Sequence, residues 1–170
     1  MKGYPFIFLL IIILASLNSG CIDITGEIQK QKVIVNQVQP LIKNGAPSQN
    51  SNDLVLRGKA LIWDMTKNYR SPAYDQLPDN LKASSSDKVI TVLMIQGARS
   101  VKVGTYSISG EPAYRNYTDI FVVYWPENKT AGLYSIVSAE PRSSRPVQYN
   151  EEYGDPNKPI ADWISNLRKE

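Results

Sequence analysis

Histidine is absent from the chain, and cysteine occurs once. Without histidine there is no Ser-His-Asp or Cys-His arrangement, no histidine-bearing zinc site and no imidazole to serve as a general base near neutral pH. A single cysteine cannot close an internal disulfide, so the fold must hold together by packing. No Gly-x-Gly-x-x-Gly, no phosphate-binding loop and no Cys-x-x-Cys occurs. Nucleotide and redox chemistry are therefore without a motif, and no cofactor is expected. Charge of one sign is also scarce. The net charge of +3 is spread over 170 residues, with no basic stripe of the kind nucleic-acid binders carry, so no nucleic-acid partner is expected.

What is present suffices for a core. Hydrophobic residues make up 42% of the chain and charged residues 21%. That balance fits one packed domain plus extra segments, and fits neither a multi-span membrane protein nor a disordered chain.

The longest apolar run lies at the start. Residues 5–17 are apolar apart from Ser16, Lys2 precedes them, and Asn18-Ser19-Gly20-Cys21 follows. As a helix this run would span roughly 20 Å, short against a hydrocarbon core of about 30 Å. A positive start, a short apolar stretch and small residues at its exit are the parts of an export signal. The run closing on Ser19-Gly20-Cys21 resembles the lipobox of prokaryotic lipoprotein precursors. The resemblance covers only the first 21 residues. It departs from the usual pattern at Asn18, where a leucine-like residue is preferred and Leu17 stands one place earlier. It implies cleavage before Cys21 and a lipid on Cys21, which would hold the chain on the extracytoplasmic face of the cell membrane. Removing residues 1–20 lowers the net charge from +3 to +2. An uncleaved signal anchor and an ordinary cleaved signal are the alternatives.

The rest of the chain reads as a tether and a domain. Residues 1–20 form the signal, 21–52 a lipid-anchored tether with a membrane-proximal segment, and 53–170 the extracytoplasmic globular part. Residues 22–31 look like tether. Residues 32–43 alternate like a strand at Val33 and Val35, then space like a helix at Val38, Leu41 and Ile42, so period does not choose. Residues 44–52 have loop chemistry. Residues 53–65 read as a half-buried strand with Leu54, Leu56, Gly58, Ala60 and Ile62 on one face. Residues 68–86 are irregular, with one helical turn near 73–77. Residues 89–95 form an apolar strand ended by Gly97, and 101–108 another, interrupted at Gly104. Residues 117–125 and 133–139 flank a polar turn at 126–130 and predict a hairpin. Residues 141–155 read as an extended connection. Ile160, Trp163, Ile164 and Leu167 follow helical spacing and predict a helix over 159–168, with Asn157 as N-cap and Arg168 and Lys169 at its far end. The expected fold class is α+β with β dominant: an antiparallel sheet of about five strands, one face partly covered by the C-terminal helix.

Four features bear on chemistry. Ser85-Ser86-Asp87-Lys88 matches Ser-x-x-Lys, but that mechanism needs the serine at a helix start, and this stretch leads into a strand. A flexible serine-rich loop is the simpler reading. Glu151, Glu152 and Asp155, with Asp162 seven residues on, form an acidic group without calcium-loop spacing; no metal site is expected. Tyr114, Tyr117, Tyr124 and Trp125 form a candidate binding surface, since aromatic rings serve recognition of sugars and proteins. Strand packing explains the same residues, and Trp63 and Trp163 read as core. Asn116-Tyr117-Thr118 and Asn128-Lys129-Thr130 are sequons that make Asn116 and Asn128 candidate glycosylation sites. The leading expectation is a membrane-tethered, non-enzymatic domain that binds an envelope protein or glycan. The alternatives are a small hydrolase using carboxylates or a Ser/Lys pair, and a structural envelope component.

Overall fold

The computed structural model describes residues 24–45, 51–137 and 157–170. Cys21 and the acidic residues Glu151, Glu152 and Asp155 lie outside these residues.

Helix α1 (Ile24–Gly45) takes up all of the stretch 32–43 that period alone leaves open, together with residues 24–31, which read as tether. Ile34, Val35, Val38 and Ile42 recur at helical spacing and are buried. The conflicting alternation at Val33 resolves simply: Val33 points outward and is 56% exposed. Pro40 lies inside the helix on its exposed side. The backbone bond it removes is therefore lost where water can replace it.

The sheet explains why α1 folds back. Strands β1 (Val55–Leu56), β2 (Lys59–Asp64), β3 (Tyr69–Arg70), β4 (Val89–Thr105), β5 (Pro112–Tyr124) and β6 (Lys129–Val137) follow in order. Five of them form one sheet in the order β3-β2-β4-β5-β6. Helix α2 (Asn157–Asn166) and strand β7 (Arg168–Lys169) complete the chain, and β7 pairs in parallel with β1. The sheet is mixed, which corrects the expectation of a purely antiparallel one. Strands β2 and β4 run parallel, with Ile62 beside Leu93 and Trp63 beside Met94, whereas β4, β5 and β6 are antiparallel. The physical reason is the connection after β2. Residues 65–88 are long enough to cross over, and on the way 81–83 bond along β2: Ala60 N donates to Leu81 O and Ala83 N to Ala60 O. A strand flanked on both edges and covered on both faces carries the continuous apolar run Ala60-Leu61-Ile62-Trp63, all buried.

The two faces have separate cores. One gathers Leu54, Leu56, Ala60, Ile62, Leu93, Ile95, Ile120 and Val122 under Ile160 and Ile164 of α2. The other gathers Leu61, Trp63, Val92, Met94, Phe121 and Val123 under Ile34, Val35, Val38 and Ile42 of α1. The sheet is thus a middle layer between two helices. Residues 24–45, expected to lie between membrane and domain, cover this second core. Gln31, on the buried side of α1, is fully enclosed, and neither atom of its amide has a hydrogen-bond partner among the described residues. Replacing it by an apolar residue removes that desolvation cost. Gln31→Leu is expected to raise stability by about 1–2 kcal/mol in chemical denaturation; a loss of stability would contradict this.

Other local expectations meet particular geometry. The strand read over 53–65 breaks at Gly58, whose φ of 54° suits glycine. Leu54, Leu56, Ala60 and Ile62 nevertheless share one core, as the alternation predicts. Gly97 does not end its strand. The strands read over 89–95 and 101–108 are one, β4, bulged between Gln96 and Arg99 and again between Lys102 and Gly104. The helical turn near 73 is a short 3-10 turn, Pro72–Tyr74. On α2, Ile160 and Ile164 are buried, and Trp163 stacks on Tyr134 with centroids 4.4 Å apart. Lys169 donates from Nζ to Ser165 O at 2.7 Å, so its charge serves the helix end from within β7.

Two further predictions arise here. A methyl added at Gly132 would sit 2.7 Å from Ser51 Cβ and 2.8 Å from Leu54 Cδ2. It would push residues 51–54 off the edge of β6, where Ser51 N donates to Leu133 O at 2.8 Å. Gly132→Ala is expected to cost about 1–3 kcal/mol in thermal or chemical unfolding. The Tyr74 hydroxyl donates to Ala83 O at 2.6 Å. Burial holds its phenol above the ordinary range, while the guanidinium of Arg70 pulls the other way. A raised folded pKa makes this contribution complete below the unfolded phenol's pKa of about 10 and lost as pH climbs through the folded value. Tyr74→Phe should cost about 1 kcal/mol at neutral pH and flatten the alkaline loss of stability followed by denaturant titration.

Candidate functional site

The long β4–β5 hairpin outruns the core. Beyond the Gln96–Asp119 pair the ladder continues through Arg99–Tyr117, Ser100–Asn116, Val101–Arg115, Lys102–Tyr114, Gly104–Ala113 and Thr105–Pro112. Tyr106 N then donates to Glu111 O at 2.8 Å and Gly110 N to Tyr106 O at 2.9 Å, closing the tip. Gly110, with φ 71°, supplies the left-handed residue that closure needs. None of residues 99–118 belongs to either core cluster. Val103, Ile108 and Tyr114 are large apolar side chains left in solvent, Ile108 at 80% and Tyr114 at 51% exposure.

Alternation sorts the side chains of this ribbon. Tyr114 and Asn116 lie on the α2 side with Lys102 and Ser100 opposite; Tyr117 and Asp119 lie on the α1 side with Arg99 opposite Tyr117. At the root, the Arg99 guanidinium sits 4.7 Å from the centre of the Tyr117 ring, and its Nε is 3.4 Å from Asp119 Oδ2. Ser135 Oγ donates to Asp119 Oδ1 at 2.5 Å. Asp119 thus links β4, β5 and β6 at the base of the ribbon.

The four aromatic residues expected to make a binding surface are divided. Tyr114 and Tyr117 stand on the ribbon. Tyr124 is 7% exposed, with its hydroxyl donating to Val55 O at 3.0 Å and Arg57 over its ring at 4.1 Å. Trp125 is half-buried against the α1-side core. Ten residues of strand separate Tyr114 from Tyr124, roughly 33 Å. One surface cannot contain both ends of β5. The strand's unbroken apolar run Ile120-Phe121-Val122-Val123-Tyr124 already marks its C-terminal half as core. Sequence reasoning missed Val103 and Ile108, whose exposure depends on the hairpin outrunning both helices.

The remaining candidates fall as follows. Asn116 lies half-buried within β5 and accepts from Ser100 Oγ at 2.6 Å. Asn128 is exposed in the β5–β6 turn with φ 51°. Asparagine tolerates that left-handed backbone well, so the turn itself accounts for the residue type. Ser86–Lys88 form a 3-10 turn leading into β4, and the side chain of Ser85 hydrogen-bonds Asp87. That bond is the first cause of an Asp87 carboxyl held below its ordinary range. Ser85 is therefore not at the start of an α-helix. Asp162 pairs with Lys158 at 2.7 Å on α2. Among the described residues no three His, Cys, Asp or Glu side chains converge as a metal site would require, and no helix is long and apolar enough to cross a membrane.

No protein-family model matches the chain, and no curated protein or solved structure is significantly similar to it.

Proposed function

We propose that this chain is a lipoprotein of the extracytoplasmic membrane face, anchored through Cys21, whose folded domain binds an envelope protein or glycan along the β4–β5 ribbon. The binding half rests on one observation: a paired ribbon extending past both cores with Val103, Ile108 and Tyr114 in solvent. Exposed apolar and aromatic side chains on a hydrogen-bonded strand pair gain contact area on binding. The anchoring half rests on the apolar run that ends at Ser19-Gly20-Cys21. The domain's role is non-enzymatic in this reading.

Site-specific photo-crosslinking on native membranes tests the binding half. A photoreactive side chain at position 114 should yield a discrete adduct that disappears when Lys102→Glu and Ile108→Asp are added. The same group at Asp162, exposed on α2, should yield none. Equal adducts at both positions, or no adduct at 114, would refute the ribbon as the binding element.

A further inference from the structure

The start of α1 and the tip of the ribbon lie towards opposite ends of β4. Helix α1 begins at Ile24, three residues after Cys21, a reach of about 10 Å at most. Near its start, Glu27 Oε1 accepts a hydrogen bond from Ser86 N, in the turn that feeds β4. Strand β4 then runs 17 residues from Val89 to Thr105, about 50 Å along its axis. The ribbon tip lies at its far end. A lipid on Cys21 would therefore bring the starting end of β4 to the bilayer.

That end is rich in lysine. Lys59 pairs with Val89 across the ladder, Lys88 immediately precedes β4, and Lys129 pairs with Tyr124, itself the partner of Thr91. Lys30, on the second turn of α1, is close enough to Asp87 to lower its carboxyl's pKa. None of the four lysines makes a salt bridge among the described residues, and the carboxylates Glu27, Asp87, Glu127 and Glu170 share this end with them and with Arg57. Ser86 N–H holds Glu27, Lys82 pairs with Asp79, and Arg57 binds both Glu127 and Glu170. Asp87 is the exposed carboxylate set among these lysines.

Taking the Cys21 anchor as given, we infer that this end of the domain rests on an anionic lipid surface through Lys30, Lys59, Lys88 and Lys129, with the β4–β5 ribbon turned away from the membrane. Clustered ammonium groups within a Debye length of anionic headgroups are attracted to them, and salt weakens the attraction. A short anchor supplies the proximity, and the lysines fix the orientation.

Lysine footprinting tests this on the full chain purified from native membranes. The protein is placed in vesicles of phosphatidylcholine alone, or of phosphatidylcholine with phosphatidylglycerol, and acylated with a membrane-impermeant reagent. Lys30, Lys59, Lys88 and Lys129 should react several-fold more slowly on the anionic vesicles, and high salt should restore their rates. Lys102 on the ribbon and Lys67 beyond the far end of β2 should react alike on both vesicles. Equal rates at the four lysines on both lipids, or protection at Lys102, would overturn the inference. Intact mass of the same sample separates the two failures. A lipid-bearing chain without protection overturns the orientation alone, whereas a chain without lipid overturns the anchor and this inference with it.

Discussion

Val38→Asp is expected to abolish the folded state or to cost at least about 4 kcal/mol. Val38 is fully buried where α1 meets the sheet, among Trp63, Val92, Met94 and Phe121. A carboxylate there would have to ionise in an apolar layer or stay protonated at a large cost in pKa. The expectation separates two views of residues 24–45. A linker outside the domain would tolerate the change, because a solvated aspartate costs nothing. A structural layer would not. Circular dichroism and denaturant titration of Val38→Asp beside Val33→Asp make the comparison internal, since Val33 faces outward on the same helix. Val33→Asp should stay within about 0.5 kcal/mol of the parent.

Ile164→Ala carries the second large effect, about 2–5 kcal/mol. Ile164 is fully buried on α2 against the opposite face, in the core that holds Ile62, Leu93 and Ile120. Removing three carbons leaves a cavity between helix and sheet that neither can readily close. The sheet separates this site from Val38, so the losses in Ile164→Ala and Val38→Ala should add to within about 0.5 kcal/mol in the double variant. Strong non-additivity would mean that the two cores are not independent layers. Equilibrium unfolding of both single variants and the double variant decides it.

Legibility in the sequence followed the range of the interaction. Helix α2 was readable because Ile160, Trp163, Ile164 and Leu167 repeat at helical spacing within one segment. The β5–β6 hairpin was readable because two apolar strands flank a short polar turn. Leu54, Leu56, Ala60 and Ile62 share one core even though Gly58 breaks the strand between β1 and β2. The parallel pairing of β2 with β4 was not readable: it is set by a crossover of more than twenty residues, and no local pattern records it. Helix α1 was half readable, because Val33 sits out of phase with Val35 and Val38. Gly97 reads as a strand end, yet its N–H finds Thr66 Oγ1 at 3.1 Å within a bulge and β4 continues. The four aromatic residues divide because of long-range packing too. Tyr114 and Tyr124 share a strand and a parity, but only tertiary packing places one in solvent and the other under Arg57.

The anchor at Cys21 underlies both the proposed function and the orientation drawn from it, and intact-mass spectrometry of the protein from its native membranes tests it most directly. A chain beginning at Cys21 and heavier than its sequence by a lipid is the expected result. A chain that retains Met1, or one that begins after the apolar run with no added mass, would contradict it.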